Sequence, residues 1–359
     1  MIKTYKCPGC GADMKFDANA GKLKCDYCET ELSTAEAELL AETEKQDAES
    51  ADSEDVIDET DEAESYGESA DFIKYKCSTC GAELVTDEHT AATCCSYCGS
   101  PNLLSERLDG EKTPAKLIPF KIDKEKAKDI YREWCKKGKL TPKEFVSQST
   151  IEKMTAIYVP FWLYDYGANA KIRANCTKVR RSRRGDYEYI YTDHYRVYRD
   201  VSAEYLKIPA DASEKMPDDM MDKLEPFNYN ELTDFEMPYL SGYMAEKYNY
   251  DSGEIAKRVE SRISDYIMSE GRRTIHGYSS VSVVGKNVTL SKRVASYVML
   301  PVWMLTYRYK GKEYMFAING QTGKLVGNRP VSVGRCFGWY FGMLAAFTVI
   351  LSILGGIVL

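Results

Sequence analysis

The chain changes its hydrophobic period several times. After Asp123, the apolar residues Ala127, Ile130, Tyr131, Trp134 and Cys135 recur at the i, i+3, i+4, i+7, i+8 spacing of one buried helical face, with Gly138 placed to stop the helix. From Ala156 to Leu206 the period falls to two. Val, Ile and Tyr abound, and Tyr187, Tyr189 and Tyr191 alternate with Glu188 and Ile190, as strands require. Arg184-Gly185-Asp186 supplies a hairpin turn. Residues 212–250 carry no sustained period and read as loops with short helical pieces. A second helix is predicted from about Ser252 to Ser269, with Ile255, Val259, Ile263, Tyr266 and Ile267 on its inner side, Asp251 or Ser252 as its cap and Gly271 as its end. Strands return from Thr274 to Val326. The last stretch, Phe337 to Leu359, has no polar face: its 23 residues carry no charge. As a helix it would extend about 34 Å, against a hydrocarbon core of roughly 30 Å, so a membrane-spanning helix is predicted.

Two self-similarities organise this pattern. Tyr5-Lys6-Cys7-Pro8-Gly9-Cys10-Gly11-Ala12 recurs as Tyr75-Lys76-Cys77-Ser78-Thr79-Cys80-Gly81-Ala82, and Cys25-Asp26-Tyr27-Cys28 as Cys95-Ser96-Tyr97-Cys98, all at an offset of 70 residues. A fainter match links Val159-Pro160-Phe161-Trp162-Leu163 with Leu300-Pro301-Val302-Trp303-Met304, each leading into an aromatic-rich strand, and raises the reading of two related β units.

Composition adds a charge asymmetry. The 359 residues carry a formal net charge of −7, yet residues 31–71 alone hold 17 Asp or Glu against one Lys, which leaves the remainder at +9. The segment from Ser33 to Ala70 is too poor in apolar residues to offset its ordering entropy. It reads as an acidic flexible linker, disordered or partly helical, whose first stretch to about Gln46 consists of good helix formers. A solvated spacer is the plain role, and masking of a basic surface the sharper one.

Eight of the 12 cysteines form the four C-x-x-C pairs. Close pairs of this kind suit thiolate metal binding in a reducing compartment, and no apolar leader follows Met1 to Lys6, so the N-terminal region is expected in the cytosol. Cys7, Cys10, Cys25 and Cys28, then Cys77, Cys80, Cys95 and Cys98, fit two tetrahedral zinc sites, with an iron–sulfur centre or a redox dithiol as the alternatives. With four protein ligands each, such sites are structural rather than catalytic. Gly11, Gly81 and Gly99 supply the positive φ that follows a second cysteine, while Glu29 stands at that place in the remaining turn. The repeat assigns Cys95 rather than Cys94 as ligand. Cys94, Cys135, Cys176 and Cys336 read as apolar fillers or surface thiols.

These motifs resemble zinc ribbons of the transcription factor IIB and rubredoxin-knuckle type, over about 25 residues per copy. The wider plan resembles a family of membrane-anchored bacterial zinc-ribbon proteins of uncharacterised function. The matching residues are Tyr158-Val159-Pro160-Phe161-Trp162, Tyr239-Leu240-Ser241-Gly242-Tyr243, Leu300-Pro301-Val302-Trp303 and Asn319-Gly320-Gln321-Thr322-Gly323-Lys324. The resemblance implies two zinc ribbons, a β-rich middle and a hydrophobic C-terminus. Some members of that family are labelled helicase-like, but this chain has no G-x-x-x-x-G-K-[ST] loop. Gly320 to Lys324 reads instead as a β-turn between Tyr314–Ile318 and Lys324–Val326.

No catalytic constellation emerges. The three histidines, His89, His194 and His276, form no H-E-x-x-H and flank no G-x-S-x-G. One cluster stands apart: Lys178, Arg180, Arg181, Arg183 and Arg184 fill five of seven positions before the tyrosine-rich hairpin. Basic groups beside exposed aromatics suit single-stranded nucleic acid, an anionic lipid surface or the acidic linker, and a solvated loop is the plain reading. Near the C-terminus, Trp339 and Tyr340 suit a membrane interface, and Lys324, Arg329 and Arg335 precede the apolar stretch, which puts the N-terminal side in the cytosol. Gly338 and Gly342 form one G-x-x-x-G, a weak hint of helix pairing.

The sequence therefore predicts an α+β multidomain chain. Zinc ribbon 1 spans 1–32, the acidic linker 33–70, zinc ribbon 2 spans 71–105, a β-rich domain with a few helices 113–330, and one transmembrane helix 337–359. The expected role is a non-enzymatic, membrane-anchored cytosolic adaptor or scaffold with two structural zinc ions and a protein partner, with no small-molecule substrate evident. The alternative is a membrane-tethered nucleic-acid-binding protein that uses the ribbons and the basic 178–184 loop.

Overall fold

The computed structural model describes residues 2–51, 72–77, 79–87, 89–95, 98, 100–104, 108 and 113–358. The first cysteine-rich region contains β1 (Ile2–Lys3), β2 (Met14–Asp17), β3 (Lys22–Cys25) and β4 (Glu31–Leu32), and runs into α1 (Thr34–Ala51). The second contains β5 (Phe72–Lys76), β6 (Glu83–Asp87), β7 (Thr90–Cys94) and β8 (Pro101–Leu104). β9 (Lys116–Leu117), α2 (Lys124–Lys136) and the short α3 (Gln148–Ile151) precede a long hairpin of β10 (Thr155–Arg184) and β11 (Tyr187–Asp211). A loop-rich stretch then carries α4 (Asp218–Lys223), β12 (Thr233–Asp234) and β13 (Met244–Glu246). The order ends with α5 (Ser252–Arg273), β14 (Ser280–Tyr309), β15 (Lys312–Asn319), β16 (Leu325–Gly327) and α6 (Val333–Val358).

These elements fall into two compact units built from separated segments. One comprises Met1–Val159, Met216–Lys247 and Met299–Leu359, and the other Pro160–Lys215 and Tyr248–Val298. The stretch 113–330, read from the sequence as one β-rich domain, contributes residues to both units. The reason is long-range pairing, which period and propensity do not report.

In the first unit the cysteine-rich regions are built into the sheet rather than appended to it. Ile2 pairs with Leu104 and Lys3 with Leu103, β8 pairs with β7, and Ala92 of β7 lies opposite Ala245 of β13. β13 in turn runs parallel to the start of β10 through Ile157 and Tyr158. The amide of Phe16 in β2 donates to the carbonyl of Ser241 at 2.9 Å, and the Ser241 hydroxyl donates to the carbonyl of Met14 at 2.7 Å. An aromatic core closes the join. Phe120 stacks on Tyr243 with ring centroids 4.5 Å apart and meets Tyr158 and Trp303 edge-on at 5.0 and 5.5 Å. Phe16 lies 5.1 Å from Tyr239. The boundaries 1–32 and 71–105 enclose the metal-type loops, whose strands pair onward into the rest of the unit.

The first stretch of the acidic segment is helical, as its helix formers suggest, and the helix docks on the first cysteine-rich region. Residues 34–51 form α1, started by Ser33, whose hydroxyl accepts from the Glu36 amide while the Glu36 carboxylate accepts from the Ser33 amide. Glu38 anchors the helix, accepting from Tyr5 Oη at 2.7 Å and from Lys3 Nζ at 2.6 Å, and Ala37 is buried. Residues 52–70 of the expected linker lie outside the described residues.

In the second unit the β10–β11 hairpin is in continuous register from Tyr166↔Tyr205 to Arg184↔Tyr187. β14 flanks β10 on its other side, with the Ser279 amide donating to the Thr177 carbonyl at 2.7 Å. One face of this sheet is covered by α5. Tyr164, Tyr166, Ala168 and Ala170 pack against Ile255, Val259, Ile263 and Ile267, the inner side the period predicts. Tyr266 is an exception and is largely exposed. The helix starts at Asp251 with a full capping box to Glu254. It does not end at Gly271, which sits buried inside it. A Cβ there would come within 2.4 Å of Ile172 Cδ1, so glycine serves close helix–sheet contact rather than termination. Gly138 likewise follows α2 as expected, but its reason is space: a Cβ would lie 2.2 Å from Thr141 Oγ1.

Candidate metal centres

Each cysteine pair is shaped by a backbone knuckle. In the first, the Cys7 amide donates to the Ala12 carbonyl and the Gly11 amide to the Cys7 carbonyl, both at 2.8 Å. Cys77, Ala82 and Gly81 repeat the pattern at 2.8 and 2.9 Å. The turn is left-handed at Gly11 (φ 73°) and Gly81 (φ 71°). Glu29 adopts φ 59° in the knuckle of Cys25 and Cys28, so the position that lacks glycine takes the same conformation with a side chain on it. Gly99 lies outside the described residues.

The knuckles bring four sulfurs together twice. Cys7, Cys10, Cys25 and Cys28 form one cluster and Cys77, Cys80, Cys95 and Cys98 the other, with all Sγ atoms of a cluster within 4.8 Å of one another. Cys7 and Cys28 stand 3.4 Å apart and Cys10 and Cys25 3.5 Å. In the second cluster Cys77 and Cys98 are 3.7 Å apart and Cys80 and Cys95 3.8 Å. A tetrahedron with metal–sulfur bonds near ~2.3 Å has edges of about 3.8 Å, so the donor set fits a metal ion. One thiol of each pair is buried (Cys7, Cys25, Cys77, Cys95) and the other exposed, so both centres lie at the surface with closed ligand sets.

The electrostatics agree with the geometry. The Thr30 hydroxyl and amide beside Cys28 lower its thiol to about 6. Burial opposes ionisation of Cys77, but the Ser100 hydroxyl and nearby amides bring it down to about 6. The Ala12 amide favours the Cys10 thiolate, yet the surrounding thiols push that group up to about 12. Cys80 is treated the same way: the Ala82 amide lowers it, and its neighbours raise it to about 12. Four thiols this close cannot all ionise unless a cation compensates them. Thr30 and Ser100 are the residues that sequence reasoning missed. Each stands two positions after the last cysteine, 3.1 Å from its sulfur, and the offset of 70 relates them too.

Other cysteines stay outside. Cys94 is not in the second cluster, while Cys135 and Cys176 are buried in apolar surroundings. His89 is not in the cluster either.

The basic residues lie on the hairpin, whose turn falls at Gly185 (φ 61°) as predicted. Register splits them between two faces. Arg184 pairs with Tyr187, Ser182 with Tyr189, Arg180 with Tyr191 and Lys178 with Asp193, so these share one face, while Arg181 and Arg183 share the other with Ile190 and Glu188. The guanidinium of Arg180 meets Asp193 at 2.9 Å and that of Arg181 meets Glu188 at 3.6 Å. Lys178 lies over the rings of Tyr195 and Tyr278. Tyr187, Tyr189, Ile190 and Tyr191 are 73, 46, 58 and 53% exposed, because α5 ends before it reaches the tip.

α6 is long and apolar enough to cross a membrane. Val333–Ser352 has a mean hydropathy of 1.4 and none of it is buried. It begins four residues before the predicted span and includes Arg335.

Fold and centres together define an α+β protein with two four-cysteine metal-type clusters and one C-terminal helix of membrane-crossing length. Over 345 residues the chain is 43% identical to the uncharacterized protein YdjG of Bacillus subtilis (strain 168), covering 96% of this chain and 94% of that protein, and it belongs to the same family. No family model matches the chain, and no solved structure matches it.

Proposed function

We propose that this protein is a non-enzymatic, membrane-anchored adaptor that presents its hairpin tip to a protein partner in the cytosol. Two zinc ions, one in each four-thiolate cluster, are structural: they hold strands of the first unit together rather than act on a substrate. α6 crosses the membrane, with Lys324, Arg329 and Arg335 on the cytosolic side.

The observation that supports this reading is the exposed aromatic tip. Four large apolar side chains, Tyr187, Tyr189, Ile190 and Tyr191, stand in solvent at the end of a rigid two-stranded ribbon, and clustered exposed apolar groups of this kind mark interaction sites. A photo-crosslinking amino acid at Tyr189 in the full chain in cells tests it, with Lys171 as exposed control. A discrete protease-sensitive adduct from Tyr189 alone is expected. No adduct above the Lys171 level contradicts the reading.

A second reading rests on the register. Arg184, Arg180 and Lys178 share a face with Tyr187, Tyr189 and Tyr191, an arrangement that suits phosphates and stacked bases of single-stranded nucleic acid. A nuclease-sensitive adduct in the same experiment would favour it.

A further inference from the structure

A groove in the first unit lies beside the start of α6. It measures about 1090 Å³ and lies between that helix and the end of α2 with its following loop. Its floor is apolar, formed by Trp339, Met343 and the open face at Gly338, and its rim carries Lys136, Lys139 and Arg335. The wall is fixed. The Ser332 amide donates to the Leu140 carbonyl at 2.9 Å, Arg335 Nη1 donates to the Thr141 carbonyl at 2.5 Å, and Lys139 Nζ sits 5.0 Å from the centroid of the Trp339 indole. Among the described residues no carboxylate forms an ion pair with Lys136, Lys139 or Arg335. The groove also stays open by composition: a Cβ at Gly338 would meet nothing within 4 Å.

We propose that this groove holds one anionic phospholipid of the leaflet into which α6 inserts. Its phosphate lies at Lys136, Lys139 and Arg335, and an acyl chain runs down past Trp339 and Met343. The inference rests on the reading that α6 spans a membrane. Given that reading, the chemistry selects the occupant. Trp339 marks the headgroup level, where indoles concentrate, so three cations that have no carboxylate partner among the described residues stand at the height of lipid phosphates. Below them the floor loses all charge, as an acyl chain requires. A water-soluble anion would satisfy the rim but leave the apolar floor bare, and a second helix would fill the floor but leave the cations unpaired. Charge on top and hydrocarbon beneath is the pattern of a lipid. Such a lipid would bridge α6 to α2 and so couple the membrane anchor to the first unit.

The test uses the full chain in mixed micelles of phosphatidylglycerol and phosphatidylcholine, with retained lipid counted by native mass spectrometry. Wild type is expected to keep one phosphatidylglycerol per chain, preferred over phosphatidylcholine by at least about tenfold, given the attraction of several basic groups. Lys136→Gln with Lys139→Gln, both at exposed positions, should bring that preference close to parity. Gly338→Leu, whose side chain enters the open floor, should abolish retention of either lipid. Lys171→Gln on β10 serves as control and should behave as wild type. Equal retention of both lipids by wild type, an unchanged preference in the double variant, or a lipid-free dimer with paired α6 helices would each overturn the proposal. Washing membranes at alkaline pH separates the two claims: a chain that washes off refutes the spanning reading itself, whereas a chain that stays but shows no lipid preference refutes only the groove.

Discussion

The indole Nε1 of Trp303 donates to the carbonyl of Ile122 at 2.8 Å, and Trp162 makes the matching bond to Tyr250 at 3.0 Å. Each acceptor is followed by an aspartate that caps a helix, Asp123 for α2 and Asp251 for α5. The prolines two residues before the indoles also match, since the Pro160 carbonyl accepts from the Ala212 amide at 2.9 Å and the Pro301 carbonyl from the Gly320 amide at 2.8 Å. In chain order α2 precedes the β10–β11 hairpin and α5 precedes β14–β15, yet each helix is tied to the other hairpin. The faint likeness between Val159–Leu163 and Leu300–Met304 therefore coincides with one structural device used in both units.

Trp303→Phe keeps an aromatic ring, though a smaller one, and removes the donor, leaving the Ile122 carbonyl unpaired in a buried setting. The expected loss is about 1–3 kcal/mol, read as a lower midpoint in urea unfolding. Trp162→Phe, at a more exposed bond, should cost less. An equal or larger loss at Trp162 would argue against the burial reasoning.

Gly271→Ala places a methyl group 2.4 Å from Ile172 Cδ1. Overpacking of this kind should cost about 1–3 kcal/mol, and Ile172→Val in the same chain should return part of it. If Gly271 were simply a helix-interior glycine with room around it, alanine would stabilise the chain instead.

Glu29 holds a left-handed backbone that strains any residue with a Cβ. Glu29→Gly should release about 1 kcal/mol, less the entropy that glycine adds to the unfolded chain, and should raise the melting temperature slightly. Gly81→Ala, at the left-handed position after Cys80 that corresponds to Gly11, should do the reverse.

Cys25→Ser removes one of four clustered thiols and, on the proposed zinc reading, should lower bound metal from two ions per chain to one. Its effect should not stop at the first centre. β2 and β3 lead from the knuckle to Ser241 and the aromatic core, so hydrogen exchange at the Phe16 amide should quicken along with that of Tyr243. Protection retained at Tyr243 would show that the first ribbon folds on its own.

The legible parts of the molecule are those that local spacing determines. Four C-x-x-C pairs name both centres, a 3.6-residue period names α2 and α5, and an uncharged run names α6. The division into two units was not legible, because it depends on which strands meet across more than a hundred residues. Single glycines were legible in place but not in cause: Gly271 and Gly138 punctuate the sequence, yet in the structure they make room for Ile172 and Thr141. α1 looked like linker because its composition is acidic, and only Glu38 meeting Tyr5 and Lys3 reveals that it docks. Thr30 and Ser100 were within reach, since they share the offset of the cysteines. A hydroxyl is not a metal ligand, so the cysteine pattern alone does not select them.

The most direct test of the account is elemental analysis with sulfur-edge and zinc-edge X-ray absorption on the purified full chain. Two zinc ions per chain, each in a shell of four sulfurs near ~2.3 Å, is the predicted result. Iron, oxidised cysteine pairs without metal, or a shell containing oxygen or nitrogen would contradict the claim that both clusters are closed structural zinc centres.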